Sequence, residues 1–259
     1  MKERLISAIV ALVICIPIVI IGGIIFKIGV SILSVMGLYE LLKCSSKNVK
    51  YPEKIKLLSY LLIFLFVIID ISNVIKIFFV FLAFSIPIIF YKKSKYNIES
   101  FMHIFSCTVF LGLVFSYLVK IRLNDINIFI FLFLITILTD TFGYIAGRTV
   151  GKRKFKWQEK VSPLKTVEGT TTGTIVGTII PSLYYIYMID PGASFPLVLI
   201  MVFLLSVLGQ LGDLFFSAIK RFYKIKDYSN IMPGHGGILD RLDSIIFVLI
   251  GYIVLINFI

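Results

Sequence analysis

The sequence predicts an all-α, polytopic integral membrane protein of about nine transmembrane helices. Of its 259 residues, 59% are apolar and only 15% are charged, and the mean hydropathy of +1.01 lies far above that of a soluble globular domain. Runs of about 18 to 20 apolar residues recur along the whole chain, and each can span a bilayer as a helix. This composition excludes a soluble enzyme, a nucleic-acid-binding module and a secreted disulfide scaffold.

Nine apolar segments are predicted as spans. In chain order they cover residues 5–22, 26–42, 57–71, 74–91, 103–120, 125–146, 170–189, 194–215 and 242–258. The third and fourth are short and close together, which leaves a tight hairpin or a partly re-entrant pair open, and with it a total of eight or ten spans. The first segment follows a charged start, but no small-residue cleavage site follows it, so we interpret it as a span rather than a signal peptide.

The basic residues predict the orientation in the membrane. With a cytoplasmic N-terminus, all but four of the 26 Lys and Arg residues fall in cytoplasmic loops, and the positive-inside rule selects this topology. The net charge of +12 is therefore explained by topology, and no nucleic-acid partner is expected. Three cysteines without metal-ligand spacing indicate packing residues rather than redox or zinc chemistry.

The two parts of the chain differ in character. Residues 1–124 form an N-terminal region of nearly featureless transmembrane helices, whereas polar residues crowd against the spans of the C-terminal region, 125–259. Two long cytoplasmic loops, 148–168 and 217–241, lie in this second region. We therefore place an active site there, at the cytoplasmic face of the membrane.

One face of the predicted eighth helix concentrates polar groups. Asp213, Ser217, Lys220 and Arg221 fall at positions i, i+4, i+7 and i+8, and Lys224 would continue the face at i+11. Residues at this spacing lie on the same side of a helix. A carboxylate, a hydroxyl and a row of cations on one face suit the binding of a metal-bound anion.

Four acidic residues are predicted to hold a divalent metal. Asp240 and Asp243 lie three residues apart at the start of the last span, and Asp213 precedes them. Magnesium takes one or two carboxylates and leaves its other positions to water and substrate phosphates, so Asp213 and Asp240 would suffice. Asp140 lies inside the sixth span, where an ionisable group is a functional candidate, and is predicted to contact the metal or the substrate.

A glycine-rich turn precedes the last span. Its backbone N–H groups could approach a phosphate closely, and His235 within it is predicted to hydrogen-bond a phosphate rather than to bind zinc, since His103 is the only other histidine. Lys165 could neutralise a phosphate as a point charge, and Glu168 lies near a helix N-terminus. The predicted substrate-binding residues are Lys165, Glu168, Gly234, Gly236, Gly237 and Ser244.

The stretch 217–243 resembles the signature of the phosphatidate cytidylyltransferase (CDP-diacylglycerol synthase) family. Residues that meet the family pattern are Ser217, Lys220, Arg221, Lys226, Asp227, Pro233, His235, Gly236, Gly237, Asp240, Arg241 and Asp243. Asp140, the segment 162–169 and the multi-span layout are also similar to the family. The chain departs from it at Met232, Leu164 and Phe216. Many bacterial members carry Glu at the position of Phe216, so no catalytic acid is expected there.

The resemblance implies transfer of CMP from CTP to phosphatidic acid, giving CDP-diacylglycerol and pyrophosphate with Mg²⁺ as cofactor. It also suggests a homodimer in the cell membrane. The predicted catalytic residues are Asp213, Ser217, Lys220, Arg221, Lys226, Asp227, His235, Asp240, Arg241 and Asp243. The residue chemistry agrees, because Lys and Arg side chains bind triphosphate and lipid phosphate, and a phosphate nucleophile needs no general base.

Other functions remain as alternatives. An intramembrane acid such as Asp140 also fits a transporter or channel, although that class predicts interrupted helices in two related halves, which the sequence lacks. A CDP-alcohol phosphotransferase would carry an Asp-Gly-x-x-Ala-Arg string, and none occurs. A related lipid or polyprenol nucleotidyl- or phosphotransferase stays open, as do the acyl-chain preference and the choice between CTP and dCTP.

Overall fold

The computed structural model describes residues 2–46, 48–91, 96–155, 161–231, 234 and 236–256. Within these ranges the chain forms nine α-helices and no sheet, with one isolated antiparallel bridge between Lys154 and Thr166. The all-α prediction is confirmed, and each predicted span falls on one helix. The helices are α1 (Lys2–Ile21), α2 (Gly23–Ser45), α3 (Glu53–Ile68), α4 (Asn73–Phe90), α5 (Ile98–Asn124), α6 (Ile126–Thr149), α7 (Val167–Met188), α8 (Phe195–Phe222) and α9 (Leu239–Leu255).

The helices have the length and composition of a polytopic membrane protein. In the described part of the chain, α2, α4, α5, α6 and α8 are each long and apolar enough to cross a membrane, and Ile9–Ile21 of α1 is a shorter apolar stretch. The total number of spans stays a prediction. Only residues 69–72 separate α3 from α4, and the two helices contact each other, as the hairpin alternative requires.

The chain divides into two compact units. Unit 1 contains Met1–Leu123 together with Tyr223–Asp240, and unit 2 contains Asn124–Phe222 together with Arg241–Ile259. The segment Tyr223–Asp240 thus belongs to the same unit as the N-terminal helices. The sequence alone places it in the C-terminal region, 125–259.

Unit 1 has an apolar core formed by successive helices. Consecutive pairs from α1 to α4 contact one another, and α5 packs on α3 at Gly112, where an added Cβ would lie 3.0 Å from the Phe66 ring. Arg122 closes the end of α1, because its Nε donates to the Val19 carbonyl oxygen at 2.7 Å. The fully buried side chains of this unit include Leu38, Leu42, Ile63, Phe84, Ile104 and Leu111.

Unit 2 is built on glycines that let helices approach closely. An added Cβ on Gly173 of α7 would lie 3.2 Å from the Cα of Gly143 in α6. One turn later, Gly177 faces Thr139, whose hydroxyl hydrogen-bonds the Ser206 hydroxyl of α8 at 2.9 Å. Small residues at such contacts are typical of helix packing in membranes, where close van der Waals contact replaces the hydrophobic effect.

A second glycine contact joins α8 to α9 inside unit 2. At Gly212 an added Cβ would lie 2.6 Å from the Asp243 carbonyl oxygen and 2.9 Å from the Phe247 Cβ. Only glycine permits this approach of the two backbones. Because Asp213 follows Gly212 directly, the contact brings its carboxylate to the part of α9 that carries Asp243.

Candidate active site

The centre of the candidate site is an ion pair in unit 2. The Lys165 Nζ lies 2.6 Å from the Asp213 Oδ2, with about a quarter of each side chain exposed (25% and 29%). Lys165 comes from the loop before α7, and its Nζ also donates to the Gln210 carbonyl oxygen of α8 at 3.4 Å. Two predicted site residues from different parts of the sequence are therefore in direct contact.

Two further predicted acids interact with this ion pair. The carboxylates of Asp140 in α6 and Asp243 in α9 are each close enough to Asp213 for the like charges to repel. Asp140 is also attracted to the Lys165 ammonium group. Asp243 is buried, with 7% exposed, and it also interacts with the buried Lys220 of α8. Three carboxylates and two lysines from four elements thus form what we call the carboxylate–lysine cluster: Asp140, Lys165, Asp213, Lys220 and Asp243.

Gln210 anchors the cluster to α7. Its Nε2 donates to the Thr174 hydroxyl at 2.7 Å and to the Thr170 carbonyl oxygen at 3.4 Å. Gln210 lies three residues before Asp213 and accepts from Lys165 through its backbone. These bonds set the spacing of α7 and α8 next to the ion pair.

The loop before α7 is closed by Glu168. Its Oε2 accepts from the backbone N–H groups of Lys152 and Arg153, each at 3.1 Å, and Thr166 caps the helix by accepting from the Gly169 N–H at 3.1 Å. Hydrogen bonds from backbone N–H groups hold the pKa of Glu168 below its ordinary value. The N–H of Glu168 itself contributes most, followed by those of Arg153 and Lys152. Glu168 therefore has an organising role here, and its substrate contact stays a prediction.

The predicted polar face of α8 ends earlier than its spacing suggests. Ser217 and Lys220 are buried, and the Arg221 Nε donates to the Val161 carbonyl oxygen at 3.3 Å. The helix ends at Phe222 and Lys224 has a φ of 55°, so the expected extension of the face to Lys224 is wrong. The chain turns in a left-handed conformation there, and the helical register is lost.

In unit 1, Asp240 closes the glycine-rich turn. Its Oδ2 accepts from the backbone N–H groups of Tyr228 and Gly237, each at 2.9 Å. Gly236 has a φ of 85°, and an added Cβ would lie 3.0 Å from the same Oδ2, so glycine is required twice over. A phosphate contact through the Gly237 N–H would need this bond to break, and the roles of Gly236, Gly237 and Asp240 toward substrate and metal stay predictions.

Sequence reasoning missed Glu40 of α2. It is fully buried, and within unit 1 its carboxylate accepts from Ser229 and from the backbone N–H groups of Ile238 and Leu239. The available signal was an acid inside the second predicted span, where an ionisable group is a functional candidate.

The remaining predicted residues are placed as follows. Lys226, Asp227 and Arg241 are exposed, Gly234 has a φ of 75°, and Ser244 is buried beside Asp243. His235, with the neighbouring Pro233 and Met232, lies outside the described residues.

The donor set of the cluster is suited to a hard cation. Within the described ranges, no three His, Cys, Asp or Glu side chains form a group that could by itself hold a metal ion. Magnesium does not require one, because it binds through one or two carboxylates and completes its shell with water and phosphate oxygens. One or two of the carboxylates of Asp140, Asp213 and Asp243 would meet that requirement.

Comparison with known proteins decides the family. Residues 2–259 match the model of the cytidylyltransferase family. The chain belongs to this family. It is similar to the phosphatidate cytidylyltransferase of Staphylococcus saprophyticus, with 35% identity over 257 residues, and to those of Staphylococcus epidermidis and Staphylococcus aureus, each with 34% identity. Each alignment covers 96% of both chains. The resemblance in the sequence is confirmed, and the chain is a nucleotidyltransferase.

Proposed function

We propose that the protein transfers CMP from CTP to phosphatidic acid, releasing pyrophosphate and leaving CDP-diacylglycerol in the membrane. The observation that carries the proposal is the carboxylate–lysine cluster, in which Lys165 contacts Asp213 beside Asp140, Asp243 and Lys220. The near full-length similarity to phosphatidate cytidylyltransferases supports the choice of substrates.

The chemistry requires alignment and charge neutralisation. An oxygen of the lipid phosphate attacks the α-phosphorus of CTP, one P–O bond forms, and the bond to the leaving pyrophosphate breaks in line with it. Both reactants are anions, and the attacking phosphate is ionised at neutral pH. The protein therefore needs cations at the phosphates and no general base.

The residues of the cluster and two predicted arginines divide these tasks. Lys165 and Lys220 place positive charge at bound phosphates as point charges, and Arg221 and Arg241 are suited to bidentate phosphate contacts. One or two of the carboxylates of Asp213, Asp140 and Asp243 would hold Mg²⁺, and the metal role of Asp240 stays a separate prediction. When bound, Mg²⁺ would supply Lewis-acid stabilisation of charge on the phosphate oxygens.

The proposed orientation places the reaction at the cytoplasmic face. The distribution of Lys and Arg favours a cytoplasmic N-terminus and cytoplasmic loops around the site. At this depth soluble CTP and the lipid head group can meet while the acyl chains stay in the bilayer. No nucleic acid takes part, and the homodimer suggested by the family resemblance remains part of the proposal.

The direct test is an assay of the purified protein in detergent with phosphatidic acid, labelled CTP and Mg²⁺. We expect labelled CDP-diacylglycerol that disappears with EDTA and returns when excess Mg²⁺ is added. Folded protein that forms no labelled lipid would contradict the proposal. Other phosphorylated lipids would then be tested as acceptors, and after them the transport alternative.

Lys165→Met is expected to lower the rate of this reaction about 10²-fold or more, since it removes a preorganised positive charge from the site. Lys54→Met is the matched control, because Lys54 is an exposed lysine outside the cluster, and it should leave the rate unchanged. The measurement is initial rate at saturating CTP. Equal rates for the two variants would remove Lys165 from the proposed machinery.

A further inference from the structure

Glu40 is a buried carboxylate of unit 1 that accepts three hydrogen bonds from residues 229–239. Its Oε1 accepts from the Ser229 hydroxyl at 2.5 Å and from the Ile238 N–H at 2.9 Å, while its Oε2 accepts from the Leu239 N–H at 2.9 Å. The side chain is fully buried. A buried carboxylate is tolerated when such donors surround it, so the contact fixes both partners.

The contact lies at the start of α9. Three successive backbone N–H groups each donate to a carboxylate: that of Gly237 to Asp240, and those of Ile238 and Leu239 to Glu40. The first N–H groups of a helix have no partners within it, and Glu40 accepts from that of Leu239, with which α9 begins, while the two acids also accept from the two N–H groups just before the helix. Asp240 is thereby held by a turn that Glu40 fastens to α2.

Two glycines allow close packing at this contact. An added Cβ on Gly237 would overlap the Glu40 carboxylate, lying 2.7 Å from its Cδ, and one on Gly37, a turn before Glu40, would lie 3.3 Å from Leu239. Glycines on both sides therefore bring α2 against residues 237–239.

We propose that Glu40 is a positioning residue of the reaction. Its carboxylate holds Ser229, Ile238 and Leu239, and through them Asp240, in the arrangement that turnover requires, without touching a substrate. The inference rests on the proposed function for its catalytic consequence only. Its structural part, the fastening of the segment to α2, can be tested without any substrate.

Glu40→Gln is the first test. Gln keeps the shape but has one acceptor oxygen, and its NH₂ group would face a backbone N–H in either orientation, because both carboxylate oxygens now accept from such groups. We expect turnover at saturating substrates to fall at least tenfold and amide hydrogen exchange at Ile238 and Leu239 to accelerate at least tenfold. Exchange in α6 to α8 should stay unchanged, while the melting temperature in detergent should fall, because the substitution leaves a buried N–H group unsatisfied.

Glu53→Gln is the matched control, since Glu53 is an exposed glutamate of unit 1 that pairs with Lys56. It should change neither turnover nor exchange. Wild-type turnover and exchange in Glu40→Gln would overturn the proposal. If the unmodified protein forms no labelled lipid, the proposed function fails, while the exchange measurement still decides whether Glu40 fastens the segment.

A compensating pair keeps the test decisive if Glu40→Gln does not accumulate in the membrane. Gly237→Ala pushes a Cβ into the Glu40 carboxylate and should lower turnover at least tenfold, whereas Glu40→Asp shortens the side chain by one methylene and makes room. The double variant E40D/G237A is expected to recover at least threefold over Gly237→Ala alone. No recovery would overturn the proposal, because a role unrelated to this contact gives the two changes no reason to compensate.

Discussion

Asp213→Asn is expected to lower the formation of CDP-diacylglycerol by about 10²- to 10³-fold, the range found when one preorganised electrostatic group is removed from an active site. Asn removes the charge that pairs with Lys165 and interacts with Asp140 and Asp243. It also removes an oxygen ligand that Mg²⁺ would use. The measurement is the initial rate with labelled CTP and phosphatidic acid.

The fold of this variant should persist. Asn has nearly the volume of Asp, and Lys165 keeps its hydrogen bond to the Gln210 carbonyl oxygen, so the melting temperature in detergent should change little. Asp70→Asn serves as the control, because Asp70 is an exposed acid between α3 and α4. Full activity in Asp213→Asn would eliminate the assignment of metal binding and charge neutralisation to this carboxylate.

Asp240→Asn is also expected to abolish turnover, but for a mixed reason. The Asp240 Oδ2 accepts from two backbone N–H groups that close the glycine-rich turn, so the substitution alters the turn as well as any metal site. Exchange at the Tyr228 and Gly237 amides should accelerate in this variant and stay unchanged in Asp213→Asn. That comparison separates loss of a ligand from loss of the turn.

Gly173→Val is expected to prevent close packing of α6 and α7. The added Cβ would overlap the Thr139 carbonyl oxygen and lie 3.2 Å from the Gly143 Cα, and backbone atoms cannot rotate aside as a side chain can. Overpacking costs about 1–3 kcal/mol or more, and we expect the upper end here. Melting temperature and the yield of monodisperse protein in detergent measure the effect.

Gly192→Ala is the control for this substitution. Gly192 lies in the turn before α8, where an added Cβ would meet only the Asp190 Oδ1, at 3.4 Å, so stability should stay near that of the unmodified protein. A Gly173→Val variant that melts at the same temperature as this control would show that α6 and α7 are not packed as described.

The helices could be predicted because apolar runs of bilayer length leave few alternatives to a helix. The residues at which these helices begin and end could not be predicted in the same way. The fifth predicted span covers 103–120, but α5 extends from Ile98 to Asn124, and α8 continues beyond residue 215 to Phe222. An apolar window measures the part of a helix that prefers lipid, whereas the backbone hydrogen bonds continue into polar residues at the interface.

The polar residues of the site could be selected from the sequence, but their partners could not. Asp213 and Lys165 were both expected to bind phosphate or metal. Their separation of 48 positions did not predict that they form an ion pair with each other. Glu40 was overlooked because its donors Ile238 and Leu239 follow it by 198 and 199 positions. Such pairing is a property of the tertiary fold and leaves no local pattern.

The discontinuous make-up of unit 1 has a consequence for biosynthesis. Because domains form from the N-terminus as the chain is made, α2 reaches the membrane long before Ser229, Ile238 and Leu239 are synthesised. Until then the Glu40 carboxylate of α2 has none of these hydrogen-bond donors. Unit 1 can be completed only after α6, α7 and α8 have been made. A nascent chain stopped at Phe222 would contain every helix from α1 to α8 and would still leave Glu40 without the donors that satisfy it in the finished protein.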